Sequence, residues 1–162
     1  MVLYVLKEKQ VIGYGIIGDS IKEDAFEMIN NLRQQGVQKI SILTGDNKDV
    51  SESVGKLLGV DNILSELYPN DKVEAMEKHK ETVSKGKKVV YVGDGINDAP
   101  VISSADVGIA MGASASEGSI AIADIVVMGD SLTKINEAIT ISKVTSKIVL
   151  QNTILALGIK LL

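Results

Sequence analysis

The sequence predicts an α/β chain, a parallel sheet with flanking helices, and three observations carry that expectation. Short β-branched runs of strand length recur along the chain. Between them lie segments whose apolar residues repeat with helical spacing. The core must be aliphatic, because hydrophobic residues make up 45% of the 162 residues and aromatic ones only 3%. Strand and helix in alternation imply parallel pairing with right-handed crossovers. The length suits one domain, since soluble domains mostly hold roughly 100 to 200 residues.

The elements follow in order. "VIGYGII" (11–17) and "VQKISIL" (37–43) read as strands, as do "KVVYV" (88–92), "VGIAM" (107–111) and "DIVVM" (124–128). A first helix places Ala25, Met28, Ile29 and Leu32 on one face and stops at Gly36. A second places Val50, Val54, Leu57 and Leu58 together before Gly59. A third opens at "PNDKVEAMEKHK", where Pro69 suits a first turn and Val73, Met76 and Val83 lie near one face. No sequence repeat and no low-complexity linker interrupts the pattern.

Composition excludes some functions. The formal net charge is −4 and no basic stripe tracks along the chain, so nucleic acid is not expected as a partner. The absence of cysteine removes disulfides and Cys-ligated metals. "MVLYVLKEKQ" does not read as a signal peptide. His79, amid "EKHKE", has no second His or Cys beside it and is expected on a solvated helix face. The glycines of "VGIAMGASASEG" (107–118) lack G-x-G-x-x-G spacing and read as a turn.

Parallel sheets bind ligands outside the carboxyl ends of their strands, where loops diverge and helix N-termini point outward. Two acidic turns fall at such ends. In "SILTGDN" Thr44, Gly45 and Asp46 follow a strand and precede a helix; in "YVGDGINDAP" Asp94 and Gly95 follow a strand, and Asn97 and Asp98 precede the next helix. If the two strands are neighbours, the turns share one pocket. The first would offer phosphate oxygens a hydroxyl, backbone N–H groups and a helix N-terminus. The second would offer carboxylates to a hard cation such as Mg²⁺. The alternative is that Asp46, Asn97 and Asp98 only cap helices and form turns.

"TGD" at 44–46, "NDK" at 70–72 and "GDGINDAP" at 93–100 stand in the order of three haloacid dehalogenase superfamily motifs, and the sequence resembles the P-type ATPase branch. The resemblance implies a Rossmann-like, haloacid dehalogenase-like fold, incomplete at its N-terminal side. It implies Asp94 as the direct Mg²⁺ ligand, Gly95, Asn97 and Asp98 supporting metal and phosphate, Thr44, Gly45 and Asp46 on the phosphate-side loop, and Lys72 as the cation beside the transferred phosphoryl group. Such roles suit phosphoryl transfer, which depends on positioning and charge stabilisation. ATP and Mg²⁺ are the implied cofactors.

The same resemblance divides the chain into the end of a nucleotide-binding domain with a hinge strand (1–18), the later part of a phosphorylation domain (19–142) and the start of a transmembrane helix (143–162). "DSIKEDA" (19–25) resembles the hinge region and "ADIVVMGDSL" (123–132) the closing strand. The family's phosphorylated "DKTGT" aspartate does not occur here, and "GDSIKED" around Asp19 lacks the lysine, threonine and glycine of that turn. The chain alone is therefore expected to be inactive. Residues 148–162 are mostly apolar but shorter than the roughly 20 residues that cross a bilayer, and they can be read as an entering membrane helix or as a buried terminal helix. On the membrane reading, residues 1–142 lie on the cytoplasmic side of the cell membrane, with Lys143 and Lys147 at the boundary. "QNTILALGIK" resembles the zinc, cadmium and lead subgroup of pumps more than the copper one, with Lys160 near the transported divalent ion. The remaining partners would be the pump's own nucleotide-binding, actuator and membrane domains. Two other readings stay open: an inactive phosphate- or Mg²⁺-binding module, and a soluble phosphatase of the same superfamily.

Overall fold

A computed structural model describes residues 2–16, 20–93, 96–112 and 117–161. Seven strands and six α-helices are defined among them: β1 Val2–Lys7, β2 Gln10–Ile16, α1 Ala25–Gln34, β3 Ser41–Leu43, α2 Lys48–Leu58, β4 Asn62–Leu64, α3 Pro69–Thr82, β5 Val90–Gly93, α4 Ala99–Ser104, β6 Val107–Met111, α5 Glu117–Ile122, β7 Ile125–Val127 and α6 Thr133–Leu161. A single 3-10 turn, Ile96–Asp98, leads into α4.

Helices α1 and α2 stop at glycines. Gly36 and Gly59 adopt φ of +94° and +67°, a left-handed conformation that residues with a Cβ resist. Asn47 caps α2 by accepting the Asp49 N–H at 2.8 Å. The buried face of α2 is not the expected one: Ser51 and Gly55 are buried while Val50 and Leu57 are exposed. A Cβ on Gly55 would collide with the Ile63 side chain, so α2 and β4 approach more closely than a larger residue would permit. In α3, Ala75 and Met76 are buried, and Val83 falls just outside the helix as its C-cap.

Parallel pairing joins β3 to β4, and β5 to β6 to β7. Of the run expected at 11–17, residues 11–16 are described, and they do not join either ladder. As β2 they pair antiparallel with β1, a strand the sequence reading did not anticipate, in the register Tyr4↔Tyr14. Glu8 and Lys9 make the connecting turn with φ of +49° and +69°. Two positive φ values define the hairpin turn that matches strand twist, yet neither residue is a usual turn former, which hid the hairpin. β4 also went unpredicted, and "VQKISIL" shortens to three strand residues.

The three-stranded ladder lies between two helical layers because β6 alternates. Ala110 faces a cluster of Met76, Tyr91, Val101 and Ile102 from α3, β5 and α4. Ile109 and Met111 face Val127 and Ile135, with Leu32 and Ile139 alongside from α1 and α6. Gly108 lets α4 rest on the strand, since a Cβ there would strike the Ile102 backbone and side chain.

Three aspartates set the register. Asp61, immediately before β4, accepts the Ile40 N–H at 2.6 Å; Asp106, before β6, accepts the Val89 N–H at 2.9 Å; Asp124, before β7, accepts the Gly108 N–H at 2.8 Å. In each case a carboxylate at one strand's start bonds the backbone at the amino end of the neighbouring strand. Because a one-residue slip would turn every side chain to the other face, these bonds pin which residues reach the core.

α6 runs unbroken for 29 residues, and residues 141–161 are all exposed. The buried terminal helix considered from sequence is thus not what forms. Among the described residues no helix is long and apolar enough to cross a membrane.

Candidate functional site

The carboxyl ends of β3, β5 and β6 meet at one cleft of about 370 Å³, where Leu43, Gly93 and Met111 are the last strand residues. Lys72 and Asp98 project into it. Pro69 opens α3, and the Asp71 carboxylate accepts the Tyr68 N–H at 2.9 Å, fixing the helix start from which Lys72 extends. Lys72 Nζ donates to Asp98 Oδ1 at 2.8 Å, with side-chain exposures of 17% and 12%. Asp98 sits at the end of the 3-10 turn and is only 9% exposed overall. Its carboxylate therefore does not cap α4, because Lys72 and Tyr91 take it instead. Tyr91 Oη donates to the same Oδ1 at 3.0 Å. Gly93 makes room, since a Cβ there would lie 2.8 Å from Asp98 Cβ.

The turn at 44–46 is largely self-contained. Thr44 Oγ1 donates to Asp46 Oδ2 at 2.7 Å and accepts the Asp46 N–H at 3.1 Å. Its backbone ties to the segment before α3, with the Leu67 N–H bonding Thr44 O and the Glu66 N–H bonding Asp46 O, both at 3.0 Å. Gly45 is needed for that closeness, as a Cβ would come within 3.3 Å of Leu67 O. Leu43 reaches the cleft, but no side-chain bond links Thr44 or Asp46 to Lys72 or Asp98 among those described. β3 and β5 belong to separate ladders and are not hydrogen-bonded to each other, although Leu43 and Gly93 at their carboxyl ends line the same cleft.

Asn97 is exposed beside the site. Asp94, Gly95 and Asp19 lie outside the described residues, as do residues 113–116 of the glycine-rich run. Among the described residues no three His, Cys, Asp or Glu side chains group as a metal site. Asp98 already bonds an ammonium through Oδ1, which suits a supporting carboxylate better than a direct ligand for a second cation.

Lys160 stands on the exposed last turn of α6. His79 departs from expectation: it is half-buried, with Nδ1 2.8 Å from Ala75 O and Nε2 3.2 Å from Ser41 Oγ, and so braces α3 against β3. With Nδ1–H donating to the carbonyl, Nε2 accepts from the serine hydroxyl. The sequence reading missed Tyr91 and Lys22, which also lines the cleft and donates to Asp130 O at 3.0 Å. Period-two alternation offered a signal for Tyr91, because it places residues 91 and 93 on one face. A larger cleft of about 590 Å³ between α1 and α6 holds none of the expected residues.

The haloacid dehalogenase-like hydrolase family model matches residues 2–106. The chain belongs to that family. Its haloacid dehalogenase-like fold is also seen in a crystal structure of a zinc-transporting PIB-type ATPase, at a TM-score of 0.81 and 33% identity, covering 97% of this chain and 25% of that one. Among curated proteins it is 49% identical over 150 residues to a zinc-transporting ATPase of Synechocystis sp. and 43% identical over 159 to a cadmium, zinc and cobalt-transporting ATPase of Bacillus subtilis. It is 42% identical over 153 residues to a probable copper-importing P-type ATPase A of Enterococcus hirae. These alignments cover 93%, 98% and 93% of the chain but only 21%, 23% and 20% of the relatives, so this haloacid dehalogenase-like chain spans about a fifth of their length.

Proposed function

We propose that the chain forms the Mg²⁺-dependent phosphoryl-transfer region of an ATP-driven P-type pump for a divalent heavy metal, with zinc, cadmium or lead as cargo. The observation that carries the reading is the Lys72–Asp98 pair at the carboxyl-end cleft, two motifs 26 residues apart brought to 2.8 Å. Lys72 would stabilise negative charge on the transferring phosphoryl group, and Asp98 would hold its ammonium in position until then. Asp94 would be the direct Mg²⁺ ligand, Gly95 and Asn97 would support metal and phosphate, and the Thr44–Asp46 turn would face the phosphate. Mg²⁺, when bound, supplies neutralisation of phosphate charge. The attacking carboxylate would come from outside these residues, since no DKTGT stretch is present. β3 and β5 line one cleft without pairing with each other, which is consistent with a further strand between them.

The exposed apolar length of α6 favours this reading over a soluble phosphatase. The helix would lead into the cell membrane, with the rest on the cytoplasmic side and Lys160 near the transported ion. Relatives named for zinc, for cadmium and for copper all match, so the preference for zinc, cadmium or lead rests on "QNTILALGIK" and Lys160. The other domains of the same pump would be its partners.

The test is phosphoenzyme trapping from ATP in the full-length pump. Asp94→Ala should abolish the phosphoenzyme at physiological Mg²⁺ and Lys72→Ala should strongly reduce it; normal phosphoenzyme in both overturns the assignment. Lys160→Ala should alter the metal dependence of ATPase turnover while leaving phosphorylation possible. An unchanged metal titration removes its role and with it the choice of cargo.

A further inference from the structure

Asp98 Oδ1 accepts two hydrogen bonds, one from Lys72 Nζ at 2.8 Å and one from Tyr91 Oη at 3.0 Å. Tyr91 lies in neither acidic turn, yet its ring is part of the core with Met76, Val101 and Ile102, and the residue is 8% exposed. Its hydroxyl is thus delivered to the cleft by a strand that packing holds fixed. Gly93 permits the arrangement, because a Cβ there would lie 2.8 Å from Asp98 Cβ and 3.0 Å from Tyr91 Cε1.

Lys72 cannot serve both the carboxylate and a phosphoryl group at full strength. When its ammonium turns to phosphate, a carboxylate with 12% side-chain exposure loses its counter-charge, and a poorly hydrated charge without a partner is costly. We propose that Tyr91 is a positioning residue for phosphoryl transfer: its hydroxyl keeps Asp98 in one rotamer and stabilises its charge while Lys72 is engaged with phosphate. A tyrosine suits this task because it donates a hydrogen bond while staying neutral near pH 7, and so adds no cation to compete for phosphate. The inference rests on the role proposed for Lys72 above.

Tyr91→Phe removes the oxygen and keeps the ring. In the full-length pump it should slow phosphoenzyme formation by about 3- to 10-fold, the range for the net loss of one ordinary hydrogen bond, with half-saturating ATP within about twofold of the parent. The thermal midpoint of the 162-residue chain should move by no more than about 3 °C. A parental rate overturns the proposal, and so does a slower rate with an equal loss in ATP affinity. Lys72→Ala run in parallel separates the two readings: if it too is parental, the phosphoryl-transfer role itself fails. Should the Tyr91→Phe pump not accumulate, NMR of the 162-residue chain decides. The Asp98 β-methylene protons should stay distinct in Lys72→Met and collapse towards one averaged signal in Lys72→Met/Tyr91→Phe; distinct signals in both overturn the proposal.

Discussion

Lys72 Nζ and Asp98 Oδ1 lie 2.8 Å apart although their residues sit in different motifs, one in the first turn of α3 and the other at the entry to α4. The pair is poorly exposed, and the two partners differ in what else they can bond.

Removing one side of the pair should cost more than removing the other. Asp98→Ala leaves both the Lys72 ammonium and the Tyr91 hydroxyl without this acceptor, and should lower stability by about 2 to 3 kcal/mol. Lys72→Met leaves Asp98 bonded to Tyr91 and should cost about half as much. Urea unfolding of the two variants measures the difference, and equal losses would contradict the shared-acceptor geometry.

Gly55 lies within α2, where alanine is intrinsically better by roughly 0.5 to 1 kcal/mol. Gly55→Ala should nevertheless destabilise the chain by about 1 to 2 kcal/mol, because its Cβ meets Ile63 Cδ1 and Cγ1. Ile63→Ala in that background should recover part of the loss. Additive losses in the double variant would rule out the steric cause.

The start of α6 is capped from another segment. Asp24 Oδ2 accepts the Leu132 N–H at 2.7 Å and the Ser131 hydroxyl at 2.9 Å. Asp24→Ala should speed hydrogen exchange at Leu132 and the first turn of α6 by about tenfold, leaving α2 unaffected. Uniform acceleration through the chain would count against a local cap.

Acid should unfold the chain through its strand-start and capping aspartates. The Ile40 N–H, then Arg33, hold the Asp61 carboxyl below its ordinary range, and the Val89 N–H, then Lys88, do the same for Asp106. For Asp24, burial alone would raise the value, but the bonds from Ser131, Leu132 and Thr133 outweigh it and lower it. A folded-state value below the unfolded one stabilises above the unfolded pKa, about 3.9, and the gain is lost as pH falls through the folded value. Calorimetric midpoints should change little on this account from about pH 7 to 5 and fall below about pH 4. Asp61→Asn should shrink that fall, and an undiminished fall would show that Asp61 takes no part in it.

The sequence by itself determined what short-range chemistry decides. Gly36 and Gly59 end α1 and α2 where expected because left-handed backbone is a property of the residue itself. β6 occupies Val107–Met111 as predicted, since a buried β-branched run has few other uses. The motif order also marked Lys72 and Asp98 before any contact between them was visible. Tertiary structure alone decided the pairings. Residues 11–16 form a hairpin with β1 rather than joining the parallel strands, because Glu8 and Lys9 accept positive φ once both strands pair. Three-residue β4 has too short a pattern to read alone and exists through its ladder to β3 and the Asp61 bond beside it. The buried side of α2 was set by Gly55 meeting Ile63, not by the most apolar stripe. Tyr91 entered the site because strand alternation and a missing Cβ at Gly93 brought its hydroxyl to Asp98. Periodicity records which residues prefer burial, but which distant partner they meet depends on the closest packing the whole chain can reach.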